Sequence, residues 1–181
     1  MSLLIQQATL KDVDFILSLI MNGARKGHFS KDVLTNKAHM RENIFRIVKC
    51  NVSKSGIASE AFLGVLSEKK VGAAIIRKMN GYIELEFIAI STSFKGKGIG
   101  TMFLDGILRR YIQLHTLVAY CFPSSNILKH MLMKKGFTLS GEFEGAEILI
   151  HKVKPKDTDS APVFVPSVLD VLELASGVIK R

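Results

Sequence analysis

The sequence predicts one α/β domain of the α+β kind, with a mixed but mainly antiparallel central sheet flanked by helices. Three observations lead there. Apolar residues recur at helical spacing in some segments and at strand spacing in others, in the order β-α-α-β-β-β-α-β-α-β-β. Residues 60–91 read as strand, turn, strand, turn, strand, a meander of neighbours. The chain of 181 residues has the length of one domain with a proper core and is marginal for two.

The elements follow in order. "LLIQQAT" (3–9) alternates weakly and reads as the first strand. Thr9 with Asp12 resembles a capping box, Asp replacing the usual Glu or Gln, ahead of a helix over 10–25 whose Val13, Ile16, Leu17 and Ile20 share one face. Gly27 breaks that pattern. A second helix is expected over about 32–49, where Val33, Met40, Ile44, Ile47 and Val48 form an imperfect stripe. In the meander "SEKK" and "MNG" supply the turns, the second with the Asn-Gly signal of a tight hairpin. Helical spacing returns over 99–114 in Ile99, Met102, Phe103, Gly106, Ile107 and Tyr111. A strand over 116–122 ends at Pro123, and "SSNILKHMLMKKG" is a helix with a serine cap and a terminal glycine. "FTLSGEFEGAEILIHKV" closes the domain as a hairpin around Glu144-Gly145.

The domain is thus expected over 1–154. Residues 155–181 read as linker followed by an amphipathic helix, on which Val168, Val171, Leu172, Ala175 and Ile179 make one apolar stripe. Such a stripe calls for cover from the domain or from a second copy in a homodimer.

Composition narrows the setting. Hydrophobic content of 48% with 23% charged residues is ordinary for a soluble globular protein. No apolar run approaches the roughly 20 residues that span a bilayer, and no leader is apparent at the N-terminus, so no membrane partner and a cytoplasmic location are expected. Cys50 and Cys121 are far apart and lack partners at zinc-ligand spacing, which points to reduced buried thiols and no metal. The net charge of +9 suits a polyanionic ligand. The basic residues are scattered and the aromatics show no recognition pattern, so nucleic acid is not the expected partner.

"FKGKGIGT" (94–101) carries the most chemistry. Gly96, Gly98 and Gly100 fall between a strand over 80–91 and a helix from about 98. There, unpaired N–H groups and the positive end of the helix dipole favour a phosphate. Neither the P-loop pattern nor the dinucleotide fingerprint fits, and on glycine spacing alone a plain turn competes equally. In context the stretch Lys95-Gly96-Lys97-Gly98-Ile99-Gly100 matches Q/R-x-x-G-x-G/A, with lysine for the usual glutamine or arginine. With the order of elements over 3–153 and the "KKGF" ending the later helix, the chain resembles the GNAT superfamily of acetyl-CoA-dependent N-acetyltransferases.

That resemblance implies acetyl transfer from acetyl-CoA to a primary amine of an unidentified acceptor, small molecule or protein. It implies that backbone N–H groups from Gly96 to Thr101, with Lys95 and Lys97, hold the coenzyme A pyrophosphate. It also implies that Ile88, Ala89 and Ile90 bond the pantetheine arm between splayed strands. Ser125 aligns, if the helix is ungapped, with an asparagine frequent at the start of the following helix, which makes it a further cofactor-binding residue, although Asn126 is adjacent. His28 and Phe29 lie where the family walls the acceptor site, as substrate-binding residues.

Acetyl transfer needs a neutral amine, a stabilised oxyanion and a departing thiolate. Regular alternation in "GYIELEFIAIS" would put Tyr82, Glu84, Glu86, Ile88 and Ile90 on one face. Glu84 matches the position of the general base in the histone acetyltransferase branch, and Glu86 is the alternative; both glutamates facing solvent or pairing with lysines is the structural reading. The tyrosine that serves many members as general acid aligns with Leu132. A catalytically weak acetyl-CoA-binding regulator is therefore the competing function.

Overall fold

The computed structural model describes residues 2–153 of the chain; the expected linker and C-terminal helix lie outside the described residues. Seven strands form one sheet in the order β1-β2-β3-β4-β5-β7-β6. They are β1 (Leu4–Gln7), β2 (Ser59–Leu66), β3 (Lys69–Lys78), β4 (Tyr82–Ile90), β5 (Thr116–Cys121), β6 (Thr138–Phe143) and β7 (Ala146–His151). Every neighbouring pair is antiparallel except β4 with β5. The helices are α1 (Val13–Arg25), α2 (Asp32–Thr35), α3 (Lys37–Cys50), α4 (Ile99–Leu108) and α5 (Asn126–Lys134).

Local chemistry accounts for most of the boundaries. The Asp12 carboxylate accepts hydrogen bonds at 2.7 Å from both the backbone N–H and the hydroxyl of Thr9, fixing the entry to α1. The helix expected over 32–49 is two helices. At Asn36 the backbone leaves helical geometry, and its side-chain amide bonds Asp32 O instead, the usual competition between a short amide and the helix ladder. The helix expected to reach residue 114 is α-helical only to Leu108. Beyond it Arg110 and Tyr111 bond three residues back and the coil tightens into turns.

One face of the sheet packs on α4 and α5. Phe103, Leu104 and Ile107 of α4 and Leu132 of α5 meet Ala74, Ile76, Leu85, Ala119 and Leu149 in a single core. On the other face Ile16, Leu17 and Ile20 of α1 join Ile44 and Ile47 of α3 over Leu63, Ala73, Ile75 and Phe87. Each such side chain contributes about 1.5–3 kcal/mol when fully buried. A third cluster on that same face, Tyr82, Val118, Ile148 and Ile150, belongs to the β5–β7 side. Cys121 is buried as expected, whereas Cys50 is exposed at the end of α3.

The regular alternation expected along β4 does not occur. Ile75 of β3 pairs with Phe87 and Ile76 with Leu85, so Glu86 is an extra residue with no partner across the ladder. This bulge reverses the parity of everything after it. Ile88 and Ile90 pack with Ile83 and Leu85 against α4, while Tyr82 and Glu84 share the opposite face with Phe87 and Ala89.

Candidate functional site

The glycine stretch lies where the sequence places it, after a short 3-10 turn at Thr92–Phe94 that follows β4. Gly98 is the N-cap of α4 with φ 72°, and Gly96 has φ 74°, both in the left-handed region that favours glycine. A Cβ added at either would meet nothing within 4 Å, so the backbone faces open space. The N–H groups of Ile99, Gly100 and Thr101 start the helix and lack partners one turn earlier. Lys95 and Lys97 are exposed beside them. The residues present fit a pyrophosphate: bare backbone donors, a helix N-terminus and two cations.

Behind the loop, β4 and β5 diverge. Their parallel register runs Tyr82↔Thr116, Ile83↔Leu117, Glu84↔Val118, Leu85↔Ala119 and stops, although β4 continues to Ile90 and β5 to Cys121. The backbone N–H of Ser91 bonds Val71 O at 2.8 Å, toward the β3 side. Alternation along an extended strand then turns the N–H and C=O of Ile90 and Ile88 the other way, into the gap. Ala89 faces β3. Two free edge groups of each kind are thus presented to whatever enters between the strands.

The carboxylates stand at the other end of this gap, close to where the strands separate. Glu84 is buried in the paired part of β4 and lies 3.4 Å from the guanidinium of Arg77. Burial raises its pKa and Arg77 opposes the rise. Glu86, in the bulge, has its Oε2 buried without a hydrogen-bond partner among the described residues. Burial pushes its carboxyl up to about 7, against the pull of Arg77 and with a further push from Glu84. Burial likewise pushes the Tyr82 phenol up to about 12 and raises that of Tyr120, Glu84 adding to both. No local pattern points to Arg77, whose place across from Glu84 depends on the register of β3 against β4.

The turn after α1 brings in the two residues expected at the acceptor side. Phe29 packs against Phe87 with ring centroids 5.1 Å apart and planes tilted by 45°, and its ring lies so close over Gly23 that any side chain there would collide with it. His28 comes within hydrogen-bond distance of Ser125, 3.2 Å from Nδ1 to Oγ, across 97 residues of sequence. Burial, then the positive charges of Lys95 and Lys26, hold its imidazole below the ordinary histidine range. Leu132, the residue aligned with the tyrosine general acid, is fully buried in the core under α5. Among the described residues no group of three or more His, Cys, Asp or Glu is arranged to hold a metal ion, and no helix is long and apolar enough to cross a membrane.

Comparison with known proteins bears on this arrangement. Residues 38–137 match the model of the acetyltransferase (GNAT) family, which covers more than half of the chain. No curated protein sequence matches. The fold is similar to that of PaiA N-acetyltransferase from Thermoplasma acidophilum in complex with coenzyme A, with TM-score 0.62 and 13% identity over 84% of this chain and 99% of that one. It is similar to RimL, a ribosomal L7/L12 alpha-N-protein acetyltransferase in complex with coenzyme A, with TM-score 0.62 and 14% identity over 84% and 94%. AAC(6')-Ib in complex with ribostamycin and coenzyme A gives TM-score 0.64 and 14% identity over 83% and 93%.

Proposed function

The chain belongs to the GNAT acetyltransferase family, and from that premise we propose that it transfers an acetyl group from acetyl-CoA to a primary amine. The observation that carries the reading is the gap between β4 and β5, with the glycine loop beyond one end and, at the other, the last residue pair Leu85↔Ala119 followed at once by Glu86. The N–H groups from Ile99 to Thr101, with Lys95 and Lys97, hold the pyrophosphate. The edge groups of Ile88 and Ile90 take the pantetheine arm as a substitute strand, and one of their N–H groups supplies the donor for the developing oxyanion. Residues 1–154 form the acetyltransferase domain.

An amine of pKa near 10.4 is neutral in only about one molecule in a few thousand at pH 7. A base must take its first proton. The family resemblance favours Glu84; the geometry favours Glu86. Glu84 is occupied by Arg77 and lies below the point of divergence, whereas Glu86 sits at that point with a buried, unpartnered oxygen and a pKa poised near neutrality. His28 and Phe29 wall the acceptor side. The burial of Leu132 favours the competing reading, a cofactor-binding regulator without a strong acid. Release of free coenzyme A from acetyl-CoA, measured with a broad amine panel, separates the two. Turnover above the amine-free rate is expected, and tight acetyl-CoA binding with none would leave the regulator.

A further inference from the structure

We propose that His28 and Ser125 form the path by which the second amine proton reaches the departing sulfur, in place of the hydroxyl missing at Leu132. The inference rests on the acetyl-transfer reading above.

Position comes first. The imidazole of His28 bonds the Ser125 hydroxyl, so the turn after α1 meets the segment that follows β5. Lys95, beyond the end of β4, is close enough to depress the charge on His28. On the β5 side, a Cβ at Gly27 would stand 2.9 Å from the Ser124 hydroxyl oxygen. The turn therefore lies against the β5 side of the gap and within electrostatic reach of the loop after β4, and Ser125 stands just past β5, 7% exposed.

The other hydroxyl and thiol groups nearby are worse placed. Burial, then the Glu84 carboxylate and Tyr82 on the same face, disfavour a negative charge on Tyr120. Cys121 points into the α4–α5 core, fully buried, with its thiol pushed up to about 11. Ser125 alone of these hydroxyl and thiol groups is bonded to a group that both gives and takes protons near neutral pH. The charged neighbours of His28 are Lys95 and Lys26, both cations, with a smaller opposing effect from the Ser124 backbone. Burial and the two lysines disfavour the charged imidazole, and in the tautomer with its proton on Nδ1 the ring donates to Ser125 and keeps a free lone pair on Nε2.

Neutral imidazole is what a relay requires. Glu86 takes the first proton from the ammonium. As the amine nitrogen bonds to the acetyl carbon, its second proton passes to the free nitrogen of His28. The proton on Nδ1 moves to Ser125 Oγ, and the Ser125 hydroxyl proton moves to the sulfur as the carbon–sulfur bond breaks. An N–H and a C–S bond are lost, an N–C and an S–H bond are gained, and serine and histidine keep their proton counts. His28 finishes as the other tautomer and resets through solvent, its ring being partly exposed.

The test uses the full chain as wild type, Ser125→Ala, Ser125→Thr and His28→Gln, with coenzyme A release and acetyl-CoA thermal shifts measured across pH. Ser125→Ala and His28→Gln are expected to lower kcat about a hundredfold at pH 7, at the low end for proton-transfer catalysis, with KM for acetyl-CoA little changed. Ser125→Thr, which keeps the hydroxyl, retains most of the rate. The deficit shrinks above about pH 8.5, where a thiolate leaves without protonation. A purely structural role would instead raise KM, resist recovery at high pH and be shared by Ser125→Thr. Active wild type with unaffected kcat in Ser125→Ala and His28→Gln overturns the path and leaves acetyl transfer standing. Wild type that neither binds nor consumes acetyl-CoA overturns both.

Discussion

The Arg77 guanidinium approaches both carboxylate oxygens of Glu84 at 3.4 Å, each from the same nitrogen, Nη1. That contact ties down one of the two glutamates on β4 and leaves the other free to act. Glu86→Gln keeps shape but cannot accept a proton, so turnover is expected to fall about a hundredfold to a thousandfold. Glu84→Gln is expected to cost less, and mainly by releasing Arg77. Steady-state rates of the two variants decide the matter, and the reverse order would move the base to Glu84. Wild-type kcat should also decline as pH drops through about 7, where Glu86 takes up its proton.

The same carboxyl makes a prediction about stability. Glu86 titrates near 7 in the folded protein against about 4.3 in an unfolded chain. Between those values the unfolded state binds fewer protons, so stability falls as pH rises, by at most about 1.4 kcal/mol per unit, and is flat above. Thermal melts of wild type and Glu86→Gln should converge near pH 4. The variant should be the more stable by a margin that grows up to about pH 7.

Acetyl-CoA is expected to raise the melting temperature, at 100 times its dissociation constant by the equivalent of about 2.7 kcal/mol. Gly98→Val should abolish that shift. Because φ at Gly98 is 72°, the variant also pays a backbone penalty, for which Gly56→Val is the control: Gly56 has φ 82° and open surroundings in the loop before β2. Both variants should lose stability without ligand, and only Gly56→Val should keep the ligand shift. Equal shifts in the two would remove the pyrophosphate from this loop.

Restoring the family's tyrosine should fail. Leu132 has no exposed surface and contacts the core shared by Cys121, Phe137 and Leu149. Leu132→Tyr is expected to cost about 1–3 kcal/mol through overpacking, visible as a lower denaturation midpoint, with no gain in kcat. A stable, faster variant would mean that the α5 helix turns this position toward the gap.

What the sequence revealed and what it hid follow from the range of the interactions. The glycine loop was legible because its chemistry is local: a strand end, three glycines and a helix start lie within a few residues. The Thr9–Asp12 cap and the Glu144-Gly145 hairpin were legible for the same reason. The bulge at Glu86 was not, because it is set by which β3 residues face β4, and it turned Ile88 and Ile90 away from Glu84. Nor could spacing show that His28 meets Ser125, since only the seating of one loop on another brings them together. Asn36 lay in plain view, but an apolar stripe running past it outweighed one helix-breaking amide.

The four residue pairs joining β4 to β5 are all the ladder that holds seven strands in one sheet. On the α4–α5 face a single core runs across that join like the spine of a book. On the opposite face the apolar packing is divided, α1 and α3 gripping one cover and β5 with β7 the other. The molecule is bound along one edge and opens along the other, on the side to which Glu84 turns. A visitor that laces the covers together mends the binding where it is thinnest. Anything that prises them apart, whether heat, denaturant or mechanical load, therefore works against that visitor from a distance and need never touch the place where it sits.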